Sequence, residues 1–229
     1  NIFRLATDII LGHTKLLTDK VVSKLNPSMT IAKQSTVLIM DIEDKFKASF
    51  SDKYFDALKI IIQAILVRSV DSQVKNKKVD SFISETKEYQ YLKQHPLLKN
   101  VDDEYIKWIA LEILSSNLYD KSNLDYGPDE LQILKFIHQI VEGFKAKTLV
   151  KIDDQPRFEQ RLLNHLRPAC FRVKYNLPSL GSIGVVNQDN HEILMKIVTE
   201  LVQPLKLWLG TKFPENEIRL LTYYFGYQI

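Results

Sequence analysis

Apolar positions recur along this chain at helical intervals of three and four residues and show no useful stretch of alternation. That spacing gives a helix one apolar face, whereas a half-buried strand would alternate every second residue. Ile9, Leu16, Val21 and Leu25 mark an opening helix, expected to end near Asn26-Pro27 because the residue before proline disfavours helix. A second run covers about Ile31 to Phe50, and Phe55, Leu58, Ile62, Ile65 and Leu66 form a third stripe. Phe82, Tyr89 and Leu92 give a weaker stripe between Val79 and Gln94. Asp102-Asp103-Glu104 places negative charge at the start of YIKWIALEIL, which is apolar nearly all round and so expected to be central. This helix should stop near Ser115-Ser116-Asn117.

Tyr119 to Gly127 is rich in Asp, Asn, Ser and Gly and leads into Pro128, which reads as a linker. Beyond it the order repeats. Asp129 and Glu130 start a helix with Leu131, Leu134, Ile137, Val141 and Phe144 on one side. Phe158, Leu162, Leu166, Ala169 and Val173 mark the next helix, and Leu177 to Asn187 reads as a loop. Leu194, Ile197, Val198, Leu201, Leu205 and Trp208 predict one long amphipathic helix. Pro214, Glu215 and Glu217 then open the final helix, EIRLLTYYFG. LLNHLRPACFR (Leu162 to Arg172) falls in the frame of LKIIIQAILVR (Leu58 to Arg68), and Tyr224 falls in the frame of Glu112. The chain is therefore expected to be all-α, built as two related helical bundles.

The 229 residues are 45% hydrophobic and 26% charged, with a net charge of +3. That composition suits a soluble protein and carries no basic cluster of the kind that reads nucleic acid. The lysines of Val74 to Asp80 read as a solvated loop. Cys170 is the only cysteine, so no internal disulfide exists and a cytoplasmic setting fits. The densest apolar run, KIIIQAILV, is too short to cross a bilayer, for which about 20 residues are needed. No signal peptide is visible, and the first residue is Asn, as expected for a segment of a longer protein.

The five histidines are His13, His95, His138, His165 and His191. None falls in an HExxH or His-x3-His spacing, so neither a metal nor another cofactor is expected. Phosphate-loop, GxSxG and CxxC motifs are missing as well, and the chain is not expected to be an enzyme. His13, His95 and His191 read as loop or surface positions, His138 as packed or partly exposed, and Trp108 and Trp208 as core. His165 differs. It sits at the edge of an apolar stripe, with Arg161 four residues before and Arg172 seven after, so both arginines can flank it. A basic flank suits a histidine that accepts phosphate, while spacing alone favours a core-edge histidine satisfied by a neighbour. The matching frame keeps an arginine, Arg68, although Ile61 replaces the histidine. Arg172 is therefore read first as a framework residue, paired with a neighbouring helix.

LLNHLRPACFR, a variable region and then EIRLLTYYFG resemble the PTS regulation domain (PRD) of BglG/MtlR/LicR-type bacterial transcriptional regulators. PTS denotes the phosphoenolpyruvate-dependent sugar phosphotransferase system. The resemblance implies a diverged first PRD over residues 32–122, a second over 128–229, and a helical connector at 1–31 from a preceding domain. It implies phosphorylation of PRD histidines by HPr or a sugar-specific enzyme IIB, and homodimers whose pairing governs an attached nucleic-acid-binding domain. His165 matches the first family histidine of the second copy; Ile61, Glu112 and Tyr224 occupy the other three positions. The implied protein is a phosphate-sensing activator, with a purely structural PRD pair or an RNA-binding antiterminator as the other readings. The helical pattern of the first 31 residues favours a DNA-binding partner domain over an RNA-binding one.

Overall fold

In the computed structural model, which describes residues 27–68, 81–116, 119–120, 126–177 and 191–226, the chain divides into two compact units, Asn1–Gly127 and Pro128–Ile229. The fold is all-α, as the apolar periodicity implies. The expected opening helix, the lysine run and most of the Leu177–Asn187 loop lie outside the described residues.

The first unit begins with α1 (Met29–Phe46), whose N-cap Ser28 accepts a hydrogen bond from the Ile31 amide. The helix ends earlier than its apolar run, because Lys47 turns into the left-handed region at φ 50°. β1 (Ala48–Ser49) follows, then α2 (Asp52–Arg68), α3 (Ser81–Ser84) and α4 (Lys87–Gln94). A 3₁₀ turn, Pro96–Leu98, leads into α5 (Asp103–Ser115), capped by Asp102. Part of the expected linker, Tyr119–Asp120 (β2), pairs antiparallel with β1. Leu38, Ile39 and Ile42 of α1, Ile61 and Ile62 of α2, and Ile106 and Ile109 of α5 meet in the core. Each such side chain contributes roughly 1.5–3 kcal/mol on burial. Residue His95 is buried rather than superficial. Its Nε2 lies 3.2 Å from Asp41 Oδ2 while its Nδ1 accepts the Leu97 amide, tying the 3₁₀ turn to α1.

The second unit begins with α6 (Pro128–Thr148) and α7 (Gln155–Lys174), the latter capped by Asp154. The face of α6 that packs inward is Ile133, Ile137, Ile140, Val141 and Phe144. Leu131, expected on that face, is 49% exposed, and Leu134 is only half-buried. The expected long helix is broken into α8 (His191–Leu201) and α9 (Gln203–Leu209). Pro204 explains the break, since it has no N–H to donate and its ring would clash with the carbonyl four residues back. Of the expected stripe Leu194, Val198 and Leu205 are buried, joined by Val202 and Leu209, while Ile197, Leu201 and Trp208 are only half-buried. The final helix is α10 (Glu215–Gly226). Phe225 packs on Phe144 and Phe158, with centroids at 4.4 and 5.3 Å. Trp108 and Trp208 are half-buried rather than core, the latter lying 5.5 Å from Phe136.

Two local features shape this unit. A Cβ on Gly143 would come within 2.5 Å of Leu201 Cδ2, so α6 and α8 approach closely at that point. Pro168 lies inside α7, where the Asn164 carbonyl loses its intrahelical donor.

Both units share one plan: two long helices, then shorter helices, then a last helix. The pairings also correspond. α1 packs on α2 as α6 packs on α7; α4 packs on α5 as α8 packs on α10; and the second long helix of each unit touches its last helix.

Candidate functional site

The site is built on α7 and α10. His165 and Arg172 are seven residues apart on α7, close to two turns, and so project from one face. Glu217 and Tyr224 stand in the same relation on α10. Arg172 pairs with Glu217, His165 with Tyr224 and Phe158 with Phe225, so the two helices run in opposite senses.

Glu217 is the residue the others share. Its Oε1 accepts hydrogen bonds from Arg172 Nη2 at 3.0 Å and from Nε at 3.1 Å. Its Oε2 lies 3.8 Å from His165 Nε2, which is too long for a hydrogen bond. The His165 ring rests against Tyr224, with centroids 5.3 Å apart at 32°. His165 is only 5% exposed, so it lies inside the apolar stripe rather than at its edge. Its Nε2 makes no hydrogen bond among the described residues.

Burial lowers the His165 pKa to about 4; Glu217 pulls it up and Arg172 pushes it down, and desolvation prevails. The imidazole is therefore neutral at pH 7 and keeps a lone pair on one nitrogen. Tyr224 is shifted up by desolvation, against the opposing field of the exposed Arg161. The Cys170 thiol is fully buried and its pKa is raised by that burial, leaving it a packed, unreactive group.

The other sequence candidates are dispersed. Ile61 is a core residue of α2 at 1% exposure. The Glu112 carboxyl on α5 is pushed up to about 7 by desolvation. It is thus only partly ionised at neutral pH and is a poor permanent mimic of a phosphate charge. His138 is exposed and pairs with Glu159 at 3.0 Å. His191 begins α8 and is half-buried, while His13 and the Arg68 side chain lie outside what is described. Among the described residues no three His, Cys, Asp or Glu side chains cluster to hold a metal.

Two acidic elements were read in the sequence only as helix starts. Glu217 holds the site together. Asp129 and Glu130 are buried against Arg167, whose Nε donates to Asp129 Oδ2 at 2.7 Å and whose Nη1 lies 3.6 Å from Glu130 Oε1. This pairing anchors the start of α6 on the middle of α7. Acids in a first helical turn usually offset the helix dipole at the surface, so helical spacing alone does not mark these as buried.

Residues 138–228 match the PRD domain. The match lies in the second unit and contains His165, Arg172, Glu217 and Tyr224. PRD domains are PTS regulation domains: they regulate rather than catalyse, and PTS components such as HPr or an enzyme IIB phosphorylate them. No curated protein and no solved structure matches the chain. Among the described residues no helix is long and apolar enough to cross a membrane.

Proposed function

We propose that this chain is the phosphate-sensing, dimerising part of a transcriptional regulator of sugar-transport genes, with His165 as its phosphoacceptor. The observation that carries the reading is a buried, neutral imidazole inside the PRD match, with Nε2 unpartnered beside a carboxylate that is itself bound to arginine. An unsatisfied buried polar atom costs about 1–3 kcal/mol, and a group that accepts phosphate gives a reason to retain it.

Phosphorylation adds roughly −1.5 to −2 charges. Placed on His165, that charge repels Glu217 and competes with it for Arg172, so α10 loses its tie to α7. HPr or a sugar-specific enzyme IIB is the donor in this reading: the donor's own bond to phosphorus, P–N at a phosphohistidine or P–S at a phosphocysteine, breaks as the new P–N bond to His165 forms. The first unit is a second, diverged PRD. The shared helix order and the corresponding helix pairings support that assignment. Ile61 and Glu112 leave this copy without an acceptor. DNA binding resides in a domain joined through residues 1–31, and the protein acts in the cytoplasm.

The second reading is a PRD pair that only holds a regulator together, favoured by the depth of His165 and its stacking on Tyr224. Incubation with phosphoenolpyruvate, enzyme I and HPr, or with the cognate phosphorylated enzyme IIB, separates the two. Acid-labile phosphate that disappears in His165→Ala is expected. No label from either donor, or label unchanged in His165→Ala, overturns the phosphoacceptor assignment.

A further inference from the structure

Outside the PRD match, α1 carries an unusual face. Met29, Val37 and Met40 are 76%, 48% and 58% exposed, although each is large and apolar. Met29, Lys33, Val37, Met40 and Asp44 follow spacings of four, four, three and four. At 100° per residue they fall within one stripe about 80° wide and about 22 Å long. Beside the N-terminal half of this stripe is a groove of about 280 Å³ lined by Met29, Thr30, Lys33, Gln34, Val37 and Leu97. Lys33 is exposed and has no acidic partner among the described residues; Asp44 has only a solvent-exposed pair with Lys47.

We infer that this face of α1 pairs with the same face of a second copy of the chain, antiparallel, about a two-fold axis between Leu38 and Ile39. The stripe is self-complementary in that register. The axis carries Val37 onto Met40 of the other copy and Lys33 onto Asp44 of the other copy, and each contact occurs twice. Met40 then projects toward the groove side of its partner helix. The opposite ends of the stripe bear opposite charges, so a parallel pairing would set Lys33 against Lys33 and Asp44 against Asp44. The antiparallel pairing alone covers the apolar residues and matches the charges, as antiparallel helix pairs require.

The inference gives a surface to the dimerisation in the reading above and is independent of phosphate. Sedimentation equilibrium of the whole chain tests both. Met40→Asp is expected to raise the dimer dissociation constant about 100-fold while leaving helicity, and the thermal stability of the monomer at concentrations too low for dimers, unchanged. Lys33→Glu and Asp44→Lys are each expected to weaken the dimer about 10-fold, since each acts at two symmetric contacts. The Lys33→Glu/Asp44→Lys double variant restores the pairs with signs exchanged and should return to within about 3-fold of the original. A dimer indifferent to all of these overturns the α1 assignment and leaves dimerisation standing. A monomeric wild-type chain overturns both. A monomer in which Met40→Asp lowers the melting temperature shows that the stripe is covered within its own chain, and equally overturns the pairing.

Discussion

Glu217 on α10 accepts two hydrogen bonds from Arg172 on α7, with both side chains about 3% exposed. A buried pair of this kind contributes little net stability compared with an apolar pair of similar size, but removing one partner strands a charge. Glu217→Ala should therefore lower the unfolding free energy by about 3–5 kcal/mol, read as the midpoint of a urea titration. The Arg172→Leu/Glu217→Leu double variant should recover most of that loss. A double variant as unstable as the single one would mean that the carboxylate has partners more important than Arg172.

His165 makes stability depend on pH in a defined direction. Burial holds its folded pKa at about 4, below the usual 6.5, so between those values the unfolded chain binds more protons. The stabilising contribution is complete above pH 6.5 and is lost as pH falls through about 4, amounting to about 3 kcal/mol at most. His165→Gln should remove that slope. Urea titrations of variant and wild type at pH 4.5 and 7.5 would show it as a difference that shrinks on acidification.

The opposite slope belongs to Glu112, whose folded pKa of about 7 lies above the usual 4.5. Here the folded chain holds the extra proton, so stability is complete below pH 4.5 and falls as pH rises through about 7. Glu112→Gln should be about 1–2 kcal/mol more stable than wild type at pH 8 and equal to it at pH 4. An unchanged difference across that range would place the carboxyl in contact with solvent.

Leu149 follows α6 in the left-handed region, at φ 60°, and is 87% exposed. A branched side chain gains nothing there and strains the backbone by about 1–2 kcal/mol. Leu149→Gly should thus stabilise the chain by about 0.5–1 kcal/mol despite the added freedom of the unfolded glycine. A rise of a few degrees in melting temperature by circular dichroism is the expected result.

Helices whose apolar stripe coincides with their buried face were legible from spacing alone. In α7, all five of Phe158, Leu162, Leu166, Ala169 and Val173 are buried. Reading failed where tertiary contacts decide the face. The inward side of α6 is rotated away from Leu131, and the helix across Val202 is cut by Pro204. His95 resembled a loop residue because its partners, Asp41 and Leu97, are set by packing and a turn rather than by helical spacing. At the site, the α7 face bearing His165 and Arg172 could be read as a heptad. Glu217 could not, because its role depends on two distant helices meeting, and nothing in PENEIR distinguishes a buried glutamate from a surface one.

Pro168 sits three residues after His165 and four before Arg172. Its missing amide interrupts the hydrogen-bond ladder of α7 between those two residues. The rest of the ladder stays in place, with Arg167 on the same side of Pro168 as His165 and Arg172 beyond it. Local opening of the turn around Asn164 and Pro168 therefore breaks one backbone hydrogen bond fewer than the same opening elsewhere in the helix. Under the proposed phosphoacceptor role, a donor reaches the buried His165 ring through such an opening, and Pro168 lowers its cost by that one bond.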